Sequence, residues 1–209
     1  MTTRRAAVLA VLVLTAGTGT PAQAPLPPAP NQSIPILQEI VVTQAFEARV
    51  NQYVALHRWL EVQVSPMVVT ADIEYLHMSV RALALRIRMA RANALQGELI
   101  GPDVARIFRR TIATCLPADT WAQILAENAE EAEEWGEEGV PPRPLPPLQV
   151  NMTWPEQVPF GFVPPELLAA LPRLPAELQY GIIGNALVLW DHHANLIVDF
   201  LPDAFATLT

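Results

Sequence analysis

The chain has 209 residues, 51% of them hydrophobic and 16% charged, with a formal net charge of −8, 21 prolines and one cysteine. That apolar content excludes a disordered chain, and the length suits one domain or a domain with an appendage. The negative charge argues against a general nucleic-acid binder, although all 13 basic residues are arginine.

Residues 1–24 read as a signal peptide. Arg4 and Arg5 precede an uncharged apolar run, Ala6 to Ala16, that is too short to span a bilayer but suits the core of a secretory leader. Small residues follow, and cleavage is expected after Ala22 or Ala24. The expected location is therefore periplasmic or secreted, with no transmembrane anchor in the mature chain. Residues 25–35 (PLPPAPNQSIP) form an extended proline-rich lead.

From Ile36 the pattern turns helical. Val42, Phe46, Val50, Tyr53, His57, Leu60 and Val64 recur at spacings of three and four, and Ser65-Pro66 ends the run. A second helix is expected with Thr70 as its cap, with Ile73, Leu76, Val80, Leu83, Ile87, Ala90 and Ala94 on its apolar face and with Gly97 as its stop. A hairpin pivot near Met67 would make these two helices antiparallel neighbours. Gly101-Pro102 opens a third helix carrying Val104, Ile107, Phe108, Ile112 and Cys115. Pro117 closes it, and Asp119 is placed to cap a fourth with a thin stripe of Trp121, Leu125, Ala132 and Trp135. One cysteine permits no internal disulfide, and Cys115 reads as a buried inert thiol.

Residues 139–176 form a proline-rich arm, with a short strand expected near Val150 to Trp154 and a short helix at Pro165 to Leu171. Its aromatic residues, Trp154, Phe160 and Phe162, argue that it lies along the body. The last segment, 177–209, reads as a three-stranded meander. Its strands are Leu178 to Ile183, Leu187 to Asp191 and Leu196 to Leu201, joined at Gly184-Asn185 and at His192 to Asn195. A two-residue first turn sets Ile182 opposite Leu187 and Tyr180 opposite Leu189. A four-residue second turn brings Val198 and Phe200 to that face and puts Gln179, Gly181, Val188, Trp190, Ile197 and Asp199 on the other. The expected fold is α+β: an N-terminal antiparallel bundle of about four helices over residues 36–138, the arm, and the meander packed on the rest.

Two constellations carry possible chemistry. His57 and Glu61 stand one helical turn apart, as do Glu74 and His77 on the next helix; if the hairpin brings them together, two imidazoles and two carboxylates could hold a divalent transition metal. Separately, Asp191-His192-His193 with Asn195 reads either as a transition-metal turn or as an ordinary polar turn. The arginines of the second and third helices could pair with residues 119–138, which hold eight acids and no base. Pro141 to Pro147 resembles a ligand for aromatic peptide-binding grooves. A Gly-x-Ser-x-Gly elbow, a phosphate-binding glycine loop, His-Glu-x-x-His and Cys-x-x-Cys are all absent from the sequence.

The segments LPAELQY (174–180), LVLWD (187–191) and ANLIVDF (194–200), with YVALHRWLE (53–61) and the stretch Ala82 to Gly97, resemble a family of uncharacterised exported bacterial proteins. The resemblance implies a bacterial host and a cleaved leader but no activity; members often carry arginine after the tyrosine, where Gly181 stands here. The meander is also similar to the tail of periplasmic nickel/cobalt-homeostasis proteins. Two functions follow as expectations. One is a non-catalytic envelope protein that binds another protein or itself, with Trp59, Trp135, Trp154 and Trp190 as contact residues. The other is a metal-binding protein or metal-dependent enzyme that uses His57, Glu61, Glu74 and His77.

Overall fold

A computed structural model of the chain describes residues 36–64, 73–134, 146–156, 158 and 163–206. The expected leader and lead, the Ser65-Pro66 stop, the Thr70 cap, Trp135, Phe160, Phe162 and most of the Pro141 to Pro147 run lie outside them. The described elements run α1 (Ile36–Glu61), α2 (Ile73–Ala90), α3 (Pro102–Cys115), α4 (Ala118–Glu134), α5 (Pro165–Ala170), β1 (Leu178–Ile183), β2 (Ala186–Asp191) and β3 (Leu196–Leu201). The fold is α+β, with helices first and a three-stranded antiparallel sheet, ordered β1-β2-β3, at the end.

The α1 periodicity does what its spacing predicts: Phe46, Val50, Tyr53, Val54, His57 and Leu60 make its buried face. The second helix is shorter than its apolar pattern suggests. It ends at Ala90, and residues 91–100 run on as turns through Gly97, whose φ of +87° suits glycine. The reason lies in the sheet. The Asp199 carboxylate accepts backbone N–H bonds from Gly97, Leu99 and Ile100 at 2.7–2.8 Å, giving those donors partners that a longer helix would not need. The helix then resumes at Pro102, where proline in the first turn removes no needed donor. Helix α4 begins at Ala118, so Asp119 sits inside its first turn.

In the sheet, the turn at Gly184-Asn185 gives the expected first register, with Ile182 opposite Leu187 and Tyr180 opposite Leu189. The second register departs from expectation. Trp190 pairs with Ile197 but Leu189 pairs with Asp199, so β3 carries one extra residue, Val198. This bulge shifts every later β3 residue by one place. Phe200 moves opposite Val188 and joins the far-face cluster, while Asp199 reaches the 97–100 turns.

One apolar cluster runs through helices and sheet together. Phe46 meets Phe108 edge-on at 5.3 Å, Phe108 meets Tyr180 at 6.1 Å, and Trp121 stacks on Phe205 at 4.1 Å. Cys115 packs partly buried at its margin. The other sheet face holds Trp154, Ile183, Ala186, Val188, Ile197 and Phe200, with Leu148, Val150 and Met152 packed against them. The segment around Asn151 therefore covers that face. It is tied on by reciprocal backbone bonds between Ile197 and residues 151–152, and makes one bridge, Thr153 to Leu196, in place of the expected strand. Trp154 lies directly over Gly181, where an added Cβ would come within 2.8 Å of the indole. Covered on both faces, β3 can be the unbroken buried run that its sequence LIVDFL spells.

The arginines act mainly as ties. Arg49, Arg88, Arg91 and Arg109 donate to the carbonyls of Leu99, Asn151, Val198 and Pro202, linking helices to the loops and sheet. Among the described residues, the arginine–carboxylate pairs are Arg58–Glu177, Arg91–Glu98, Arg106–Asp103 and Arg110–Glu39, and none of them involves Asp119, Glu127 or Glu130 of α4. No described helix is long and apolar enough to cross a membrane.

Candidate metal centre

The buried face of α1 carries a histidine among its aliphatic and aromatic residues. His57 is fully buried, and its Nδ1 lies 2.6 Å from Asp191 Oδ2 at the end of β2. A carboxylate can only accept here, so Nδ1 holds the proton and the lone pair sits on Nε2. The Tyr53 hydroxyl, one turn earlier on α1, donates to the same oxygen at 2.6 Å, and the Ala194 N–H donates to Oδ1 at 2.9 Å. Asp191 thus serves two purposes. It closes the β2–β3 turn, as aspartate commonly does, and it fixes the ring of His57 from 134 residues away.

The other side of the ring faces Glu61 and His193. His57 Nε2 stands 3.7 Å from Glu61 Oε2, and His193 Nδ1 stands 3.7 Å from Glu61 Oε1. One ligand atom from each of the three residues lies within 4.8 Å of the others. Zinc-type bonds of about 2.1 Å in a tetrahedral arrangement would separate the ligands by about 3.4 Å, so small side-chain adjustments suffice. Neither His57 Nε2 nor His193 Nδ1 has a hydrogen-bond partner, although both are buried. Among the described residues, only four buried side-chain polar atoms are in that condition. A third is Glu177 Oε2; the fourth, Trp121 Nε1, belongs to the helical core. Burying such groups unpaired costs about 1–3 kcal/mol each, and a cation bound between them would satisfy the two imidazole atoms.

Three carboxylates, Asp191, Glu61 and Glu177, act on His57. Burial alone pulls the His57 pKa down. The hydrogen bond and charge of Asp191, then the charges of Glu61 and Glu177, outweigh that and leave it raised above the ordinary 6.5. Tyr53 is held well above its usual range by burial and by the Asp191 charge, with Arg91 partly opposing them, so it stays a donor. The Arg91 guanidinium lies 5.0 Å from the centre of the Tyr53 ring. Glu61 and His193 are each about one-third exposed, which leaves a path from solvent to the cluster.

His57 and Glu61 come together as their helical spacing predicts; Glu74 and His77 do not join them. Both of these are exposed on α2. Arg91 lies over Tyr53, and Arg86 bonds Gln63. Those pairs centre the hairpin at about residue 73, six places past Met67, and put His77 about three helical turns from the level of His57. Their place is taken by the Asp191-His192-His193 turn. The second imidazole of the cluster is His193, while His192 turns its Nε2 to the Ala176 carbonyl at 2.7 Å. The aspartate and the histidine pair were visible in the sequence; their pairing with α1 was not.

The chain matches no protein-family model, and no curated protein or solved structure is similar to it.

Proposed function

We propose that this is an exported envelope protein that binds one divalent transition metal ion through His57 Nε2, a Glu61 oxygen and His193 Nδ1. The observation that carries the reading is the pair of buried, unpartnered imidazole nitrogens flanking one carboxylate, with His57 oriented from behind by Asp191. A carboxylate that holds the far nitrogen of a ligating histidine fixes its tautomer and raises its basicity, the usual support of a metal-bound imidazole. Two nitrogens and one oxygen suit borderline ions such as zinc, cobalt or nickel better than calcium or magnesium. Export rests on the arginine-led apolar leader of residues 1–24.

Elemental analysis of untagged protein, after dialysis against zinc, tests the reading. Wild type is expected to retain about one ion per chain. His57→Ala or His193→Ala should weaken binding by at least about 100-fold, whereas Glu74→Ala with His77→Ala should leave it unchanged. Wild type that holds no metal, or His193→Ala that binds normally, overturns it.

A second reading, docking to another envelope protein or to a second copy, is supported by Trp59 and Val62, which are 61% and 81% exposed beside the cluster on the same stretch of chain. Wild type that runs as a monomer at high concentration and shows no loss of partner crosslinking in Trp59→Ala removes that reading.

A further inference from the structure

A cavity of about 300 Å³ lies between α1 and the end of α2. It is lined from α1 by Arg49, Tyr53 and Leu56, and from the end of α2 and the turns beyond by Ala90, Arg91 and Glu98. His57, Glu61 and His193 are not among its lining residues. Two guanidiniums thus share one small space, and each is fixed there chiefly by neutral groups. Arg49 gives both Nε and Nη2 to the Leu99 carbonyl, at 3.1 and 3.0 Å, and makes no ion pair among the described residues. Arg91 is 8% exposed; its Nη1 donates to the Val198 carbonyl and to Asn151 Oδ1, both at 3.2 Å. Its carboxylate partner is Glu98, reached through Nη2 at 2.9 Å, and that side chain is 52% exposed. Arg49 Nη1 and Arg91 Nε are left without a partner among the described residues.

Two guanidiniums against one half-solvated carboxylate leave the cavity with surplus positive charge. Arginines already held by carbonyls lose little further freedom when they bind an anion, and each keeps donors to spare. The Tyr53 ring, Leu56 and Ala90 supply apolar wall beside those donors. The volume stands at the lower end of the range for ligand pockets, which favours a compact molecule over a nucleotide or a peptide. We propose that this cavity binds a small organic acid, with its carboxylate between Arg49 and Arg91 and its apolar body against Leu56 and Ala90. The surplus of a single charge favours a monocarboxylate over a doubly charged phosphate. The site does not rest on the metal-binding reading, and either can fail without the other.

The test is calorimetric titration of the full chain in a chelator, with benzoate and hexanoate as probes and benzamide as the uncharged counterpart. At least one of the acids should bind at about one per chain with a dissociation constant below about 1 mM. Benzamide should bind at least about tenfold more weakly than benzoate, because it lacks the charge that pairs with the guanidiniums. Arg49→Gln should weaken acid binding by at least about tenfold, and Ala90→Phe, which fills the cavity and keeps both arginines, should abolish it. Arg106→Gln, which alters an exposed ion pair on α3, should leave it unchanged. Thermal midpoints report whether each variant folds; if Arg49→Gln does not, Ala90→Phe decides. Failure of both acids to bind, equal binding of benzamide, or unchanged binding in Ala90→Phe overturns the inference. So does inorganic phosphate that displaces the acid at equal concentration, which would make this a mineral-anion site, or an acid that binds zinc-loaded protein alone, which would place it on the ion.

Discussion

At the scale of single residues, the centre depends on a chain of donors and acceptors that begins at Tyr53 and ends on Nε2 of His57. The raised pKa of His57 has a consequence in metal-free protein. A group whose folded pKa lies above its unfolded value contributes stability that is fully present below the unfolded value, near 6.5, and is lost as pH rises through the folded one. In the presence of a chelator, the urea midpoint is therefore expected to fall with rising pH across and above the imidazole range, while His57→Gln shows no such fall. A wild-type profile that rises with pH there would contradict the assignment of Asp191 as the dominant partner. The same proton competes with the ion, so metal affinity should climb over the window in which that stability is lost.

At the scale of elements, the bulge in β3 matters more than any helix. By inserting Val198 it turns Asp199 toward residues 97–100, where one carboxylate serves three N–H groups from a stretch with no ladder of its own. Asp199→Asn removes the charge and one acceptor oxygen. It is expected to cost about 3 kcal/mol, or roughly 10 °C in thermal midpoint, without altering metal stoichiometry. A variant within about 0.5 kcal/mol of wild type would show that the 97–100 turns are held by other contacts. The strands themselves were plain in the sequence, as was the first register, because Gly184-Asn185 fixes it locally. The bulge was not, because its cause is non-local: buried amide groups 100 residues away need a carboxylate. Likewise, the spacing of His57 and Glu61 was readable from helical geometry, but the position of α2 along α1 was not. Alternation tells which face of a helix is apolar, not how far one helix slides along another, and a displacement of about three helical turns keeps His77 from the level of His57.

At the scale of the whole molecule, the sheet is the hub. Helices cover one face, the segment around Trp154 covers the other, and the turn between its last two strands brings His193 to Glu61 of α1. A cation held between α1 and that turn couples the two ends of the described chain. Zinc at about 100 times its dissociation constant should then add about 2.7 kcal/mol to global stability and raise the unfolding temperature by several degrees in one transition. The His193→Ala variant should show no rise; a zinc-induced rise of equal size in that variant would place binding elsewhere.

If the chain is exported unfolded and binds an ion as proposed, the 134-residue gap between the ring of His57 and the carboxylate that steers it also bears on how that ion would be acquired. A polypeptide threaded through a translocation pore is extended, and its donors are then scattered along the strand with no preformed pocket between them. Capture would then wait until the final turn has settled against the first helix. On the proposed export and metal binding, the ion captured would be set by what the surrounding fluid offers at the place where folding is completed, and the cytoplasmic pool would have no part in the choice.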